Sequence, residues 1–152
     1  SSAGGHLAAL LGTMDMPEAE RVSAVLDFYG PSDLLTMPPN LPAPGKSDAD
    51  LARSNGARLL GGIVRDRPEL ARKASALHQV SAGDAPFLIL QGDQDQSVPL
   101  DQSQRLASRL QEAGVPVVLQ VLPGAGHGGK EFQTPEVQAL VLNFLRAHVH
   151  GK

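Results

Sequence analysis

The chain has 152 residues, 41% of them hydrophobic, with a formal charge of −3 and no cysteine. That length supports one domain with a real core and not two, and the scattered basic residues form no positive stripe for a phosphate backbone, so nucleic acid is not expected as a partner. Lack of cysteine removes disulfides and thiolate metal sites without fixing a compartment; no apolar run reaches the roughly 20 residues of a membrane span, so a soluble chain of undetermined localisation is expected.

The chain opens SSAGGHLAALLGT, in which Leu7, Leu10 and Leu11 fall at i, i+3, i+4 and make one apolar face of a helix from about Ala3 to Thr13. Gly4 and Gly5 each cost such a helix roughly 1 kcal/mol relative to alanine, so close backbone approach or an unusual dihedral explains them better than propensity. Arg21 to Gly30, RVSAVLDFYG, is β-branched and aromatic, stops at Gly30-Pro31 and reads as a buried strand. Thr36 to Ser47, TMPPNLPAPGKS, is too rich in proline for a regular helix or central strand and is expected to be an irregular excursion. Asp48–Gly61 and Arg67–Ser75 read as two short helices, the second with Pro68 in its first turn.

Ala85 to Gly92, APFLILQG, is an almost unbroken apolar run of strand length, the pattern of a strand covered on both faces. Val98 to Ala113 is an amphipathic helix with Leu106 and Leu110 on one face, stopped by Gly114. Pro116 to Leu122 is a third strand, and Pro135 to His148 a closing helix with Val137, Leu140, Val141, Phe144 and Leu145 on its apolar side. Strands alternating with helices imply right-handed crossovers and a parallel α/β sheet of about three strands.

Ligands of open parallel sheets bind at the carboxyl ends of the strands. There the sequence places QGDQDQSVP, with Asp93 and Asp95, and PGAGHGG, with His127 among four glycines. The opening serines precede a helix, as a residue on a strand-to-helix turn would. Serine, aspartate and histidine in that chain order are the order of the α/β-hydrolase triad. Singly, each has a plainer explanation: a serine before a helix can be only an N-cap or part of an anion-binding turn, and an aspartate can simply close a turn.

Taken together these motifs resemble the α/β-hydrolase serine esterases, in particular the carboxylesterase, acetyl-esterase and feruloyl-esterase-like group. Ser2 to Ala8, SAGGHLA, is similar to that group's nucleophile elbow and following helix, Phe28 to Leu34 to its F-x-G-P-x-D-L segment, Gly92-x-x-Asp95-x-x-Val98-Pro99 to its acid loop, and Pro123-x-x-x-His127-Gly128 to its histidine loop. The resemblance implies residues 1–152 as the C-terminal part of an α/β-hydrolase domain, with residues 36–75 a Pro-rich excursion plus short helices. Five strands precede the nucleophile in that fold, and they are absent here.

By the same resemblance Ser2 is the nucleophile, since G-x-S-x-G needs glycine two residues on and Ser2 has Gly4 where Ser1 has Ala3. His127 is the general base and Asp95 its orienting acid, with Asp93 as runner-up. Ala3 N–H is one oxyanion donor; the family takes others from an upstream H-G-G segment that this sequence lacks.

The implied activity is cleavage of carboxylic esters, of short acyl groups, through an acyl-enzyme, without metal or cofactor and with a small ester as the partner. A prolyl-oligopeptidase-like peptidase is the nearest alternative. A non-catalytic fragment is another, its exposed sheet edge covered by a second copy or by a missing N-terminal segment. His6 is expected to be structural, Asp33 to brace the loop after the first strand and Tyr29 to sit in the core, while His78, His148 and His150 show no metal-ligand spacing.

Overall fold

The computed structural model describes residues 1–149; His150 lies outside them. Three strands, β1 (Val25–Phe28), β2 (Phe87–Gly92) and β3 (Val117–Leu122), form a parallel sheet in the order β1-β2-β3. The register sets Phe28 beside Leu90 and Gly92 beside Leu122, so all three strands end on one side. Among the described residues the α-helices are seven: α1 (Ala3–Thr13), α2 (Asp48–Ala52), α3 (Asn55–Leu60), α4 (Pro68–Lys73), α5 (Ala76–Gln79), α6 (Leu100–Glu112) and α7 (Pro135–His148).

The continuous apolar run of β2 is buried at every position, as a central strand covered on both faces requires. Its side chains alternate between two cores. Phe87 and Ile89 join Ala9, Val25, Ala76, Leu106 and Leu110 under α1, α5 and α6; Leu88 and Leu90 join Leu122, Phe132, Val137 and Phe144 under α7. Each buried Val, Leu, Ile or Phe among them contributes roughly 1.5–3 kcal/mol through its removal from water.

The leucine face of α1 does not face the core. The helix buries Gly5, His6, Ala9, Gly12 and Thr13 and leaves Leu7 and Leu11 exposed. The reason is distance between backbones: a Cβ on Gly12 would overlap Val25 and one on Gly5 would overlap the Asp27 carboxylate, so the helix lies against the sheet on its smallest residues. The close approach expected of the glycines thus holds for Gly5, whereas Gly4 faces open space.

Other boundaries also differ from the expected ones, three of them for a visible reason. The first strand shortens to Val25–Phe28, because its pairing with β2 begins only at Val25, beside Phe87, and Tyr29 leaves the extended region at φ 48°. The helix expected over Asp48–Gly61 is two helices, each started by its own serine: Ser47 accepts from Asp50 N–H and Ser54 from Ala57 N–H. After α4, the chain adds the short α5. The Pro-rich excursion is irregular but anchored, with Asn40 Nδ2 donating to Leu34 O at 2.7 Å and Lys46 Nζ to Pro38 O at 2.9 Å.

Candidate active site

Ser2 stands directly before α1 at φ 49° and ψ −122°, a backbone conformation that costs a non-glycine residue on the order of 1–3 kcal/mol. Two contacts hold it there. Its N–H donates to Phe28 O at 2.8 Å, at the end of β1, and His6 N–H donates to Ser2 O at 2.9 Å, winding the chain into α1. The small residues Ala3, Gly4 and Gly5 give that sharp turn its clearance. The serine side chain makes no cap bond to the helix; its Oγ lies 2.8 Å from His127 Nε2.

His127 sits on the loop after β3, where Gly124, Gly128 and Gly129 all take positive φ and let the chain fold back sharply. Its Nδ1 lies 2.7 Å from Asp95 Oδ2. Asp95, on the loop after β2, accepts at Oδ1 from Ser97 N–H at 2.8 Å and Val98 N–H at 2.9 Å, and at Oδ2 from Gln91 Nε2 at 2.9 Å. Burial opposes its charge, but the bonds from Val98, His127, Ser97 and Gln91 outweigh that and hold the carboxyl below its ordinary range. An ionised Asp95 can only accept, so it fixes the proton on Nδ1 and leaves Nε2 free to accept from the Ser2 hydroxyl.

The two loops are locked to each other. A Cβ on Gly92 would overlap the Ala125 carbonyl, Gln94 N–H donates to Ala125 O at 2.9 Å, and Asp93 Oδ1 accepts from Gly124 N–H at 2.7 Å. Asp93 is therefore a brace between loops, and the histidine faces Asp95. Ala3 N–H lies at the first position of α1, among the helix-start amides that have no intrahelical acceptor.

Sequence reasoning missed Gln91, which ends the apolar run of β2, is fully buried, donates to Asp95 and accepts from Ser103 Oγ at 3.0 Å; an amide inside an otherwise apolar strand was its signal. Tyr29, expected in the core, is half-buried and packs on His127 with ring centroids 4.8 Å apart.

The other singled-out residues stand away from this chemistry. His6 donates from Nε2 to Ala74 O at 2.6 Å. Asp33 accepts from Leu35 N–H at 3.0 Å, Thr36 Oγ1 at 3.0 Å and Arg105 Nη2 at 2.9 Å, and thereby braces the loop after β1. His78 reaches the same carboxylate at 3.2 Å, and His148 packs on Phe144. Among the described residues no three histidine or acidic side chains converge as a metal site, and no helix is long and apolar enough to cross a membrane.

Comparison with known proteins places this geometry in a family. The BD-FAE family model matches residues 1–110. Esterase LipC of Mycobacterium tuberculosis (strain ATCC 25618 / H37Rv) is 32% identical over 146 residues, a match covering 84% of this chain and 33% of LipC. A truncated form of a carbohydrate esterase from gut microbiota superposes with a TM-score of 0.76 at 25% identity, covering 96% of this chain and 56% of that one. The bifunctional GH43-CE protein of Bacteroides eggerthii gives 0.79 at 25% identity, covering 96% of this chain and 21% of that one. The chain thus spans about a third of the curated relative and little more than half of the first structure. With three parallel strands, this loop arrangement and a family match over most of its length, the chain belongs to the BD-FAE family, within the α/β-hydrolase group of carboxylesterases and acetyl esterases.

Proposed function

We propose that this chain carries the catalytic triad of a serine esterase acting on carboxylic esters of short acyl groups, with Ser2 as nucleophile, His127 as general base and Asp95 as its orienting acid. The observation that supports this most is the unbroken relay from Ser2 Oγ to His127 Nε2 at 2.8 Å and from His127 Nδ1 to Asp95 Oδ2 at 2.7 Å. In this reading Ser2 Oγ attacks the ester carbonyl as its proton passes to Nε2, and Ala3 N–H donates to the developing oxyanion. Collapse of the tetrahedral intermediate expels the alcohol, which takes the proton from Nε2 and leaves an acyl-serine. Water, deprotonated by the same nitrogen, then releases the acid and restores Ser2.

The reading needs no metal or cofactor, and it keeps a partner surface. β1 is hydrogen-bonded to β2 on one side, and Leu7, Leu11 and Met14 of α1 and its C-cap are exposed. A second copy or an upstream segment of the polypeptide covers that side in this reading.

Labelling with a fluorophosphonate probe, followed by peptide mass mapping, tests the assignment. The expected result is a single adduct on Ser2, abolished in Ser2→Ala, and hydrolysis of p-nitrophenyl acetate faster than of the octanoate. Absence of an adduct on folded protein overturns it, and cleavage of aminoacyl-proline amides without cleavage of esters transfers the triad to a peptidase.

A further inference from the structure

Resting on the triad reading, we infer that Tyr29 is a positioning residue that holds the His127 imidazole in its reactive orientation. Its ring stands edge to face against the imidazole at 4.8 Å with an interplanar angle of 63°, and Phe132 backs it at 4.7 Å with an angle of 74°. These are ordinary aromatic packing distances, so the imidazole is supported by a ring that is itself supported.

The imidazole needs that support. Its two hydrogen bonds, from Nδ1 to Asp95 and between Nε2 and Ser2, run outward from opposite sides of the ring and leave the rock about the line joining the two nitrogens weakly restrained. The loop pins the His127 backbone, with Gly128 N–H donating to Gly126 O at 3.0 Å, but its flanking residues Gly126, Gly128 and Gly129 carry no side chain to bear on the imidazole. The tyrosine reaches over this loop as well: a Cβ on Gly128 would lie 3.2 Å from the Tyr29 hydroxyl.

The backbone of Tyr29 is bent to make this contact. At φ 48° it is, with Ser2, one of two non-glycine residues with positive φ among the described residues. Both sides of its own peptide group are pinned: Phe28 O accepts from Ser2 N–H at 2.8 Å, and Tyr29 N–H donates to Leu90 O at 2.8 Å. One peptide unit therefore sets the nucleophile, and the side chain it carries sets the base. Strained backbone at such a point persists because the surroundings over-determine it.

The test uses the full chain and three variants. Tyr29→Phe keeps the ring; Tyr29→Ala removes it at a strained φ; Tyr29→Gly removes it where glycine relieves the strain, so a folded ringless protein is available even where alanine unfolds. Turnover of p-nitrophenyl acetate is expected to fall about 10- to 100-fold in kcat for the glycine variant, with KM within twofold, and to return to within about threefold of the parent in Tyr29→Phe.

The second readout needs no turnover. The His127 Nδ1 proton, followed by proton NMR, is expected as a low-field resonance in the parent and in Tyr29→Phe, and broadened by solvent exchange in Tyr29→Gly. An unchanged resonance and unchanged kcat in folded Tyr29→Gly overturn the inference, as does a loss confined to KM. A parent chain that gives no Ser2 adduct sinks the esterase reading instead, while the proton resonance still decides whether Tyr29 holds the ring.

Discussion

Asp27, in the middle of β1, makes stability depend on pH in a direction opposite to most carboxylates. It is 1% exposed; its Oδ1 accepts from Gly30 N–H at 2.9 Å, and its Oδ2 is buried without a hydrogen-bond partner. Burial, only partly offset by the Gly30 bond, pushes its pKa from the usual 3.8 up to about 6. The folded chain therefore holds this proton more tightly than the unfolded chain. The stability it contributes is fully present below pH 3.8 and is lost as pH rises through about 6, a change of about 3 kcal/mol.

Urea midpoints of the parent and Asp27→Asn between pH 4 and 7 isolate this group. Asparagine keeps an oxygen for Gly30 and cannot ionise, so whatever it costs is the same at every pH. Asp33 and Asp95, whose carboxyls are held below their ordinary range by their hydrogen bonds, lose stability as pH falls, but they do so in both proteins and cancel in the difference. The parent should lose stability relative to the variant at up to about 1.4 kcal/mol per pH unit between pH 4 and 6, then run parallel to it. Parallel curves through that whole window would refute the reasoning.

Asp95→Asn should lower kcat on p-nitrophenyl acetate by about 10³–10⁴-fold with the fold intact, since an amide no longer fixes the proton on Nδ1. Gly12→Ala should lower stability by about 1–3 kcal/mol in urea unfolding, because the new methyl overlaps Val25 and presses on the Phe87 ring across the α1–sheet contact. Gln102→Ala removes the acceptor shared by Ser32 N–H at 3.0 Å and Asp33 N–H at 2.8 Å; a lower thermal midpoint is expected, with about 1–3 kcal/mol lost for each buried donor left without a partner.

The sheet and the loops that carry Asp95 and His127 were legible because their signals are local. A buried central strand must be apolar throughout, and Phe87 to Leu90 are; the turns after β2 and β3 must carry polar and glycine residues, and Asp95 and His127 stand there. The face of α1 was not legible. Leucines at helical spacing ordinarily mark the buried side, but here the distance between α1 and the sheet is set by backbone contact, which admits glycine and alanine and turns Leu7 and Leu11 outward. Gln91, Gln102 and Arg105 were equally hidden, because their partners Asp95, Ser32 and Asp33 lie 4, 70 and 72 residues away or beyond a turn that spacing alone does not resolve.

The four residues Asp27-Phe28-Tyr29-Gly30 show how the position of Ser2, the proposed nucleophile, is specified downstream of it. Gly30 lies so close to α1 that a side chain would collide with Gly5 and His6, which draws the start of the helix onto the end of β1. Asp27 secures Gly30 through its N–H, Phe28 O receives the N–H of Ser2, and the Tyr29 ring meets His127. The contacts of Gly30 and of the Tyr29 ring fail if the chain runs on as an extended strand past Phe28, so the left-handed turn at Tyr29 is the condition for both. The strain at Ser2 and at Tyr29 is then one feature seen from two segments: two backbones bent toward each other around the same peptide group, with the serine hydroxyl and the imidazole left facing across 2.8 Å.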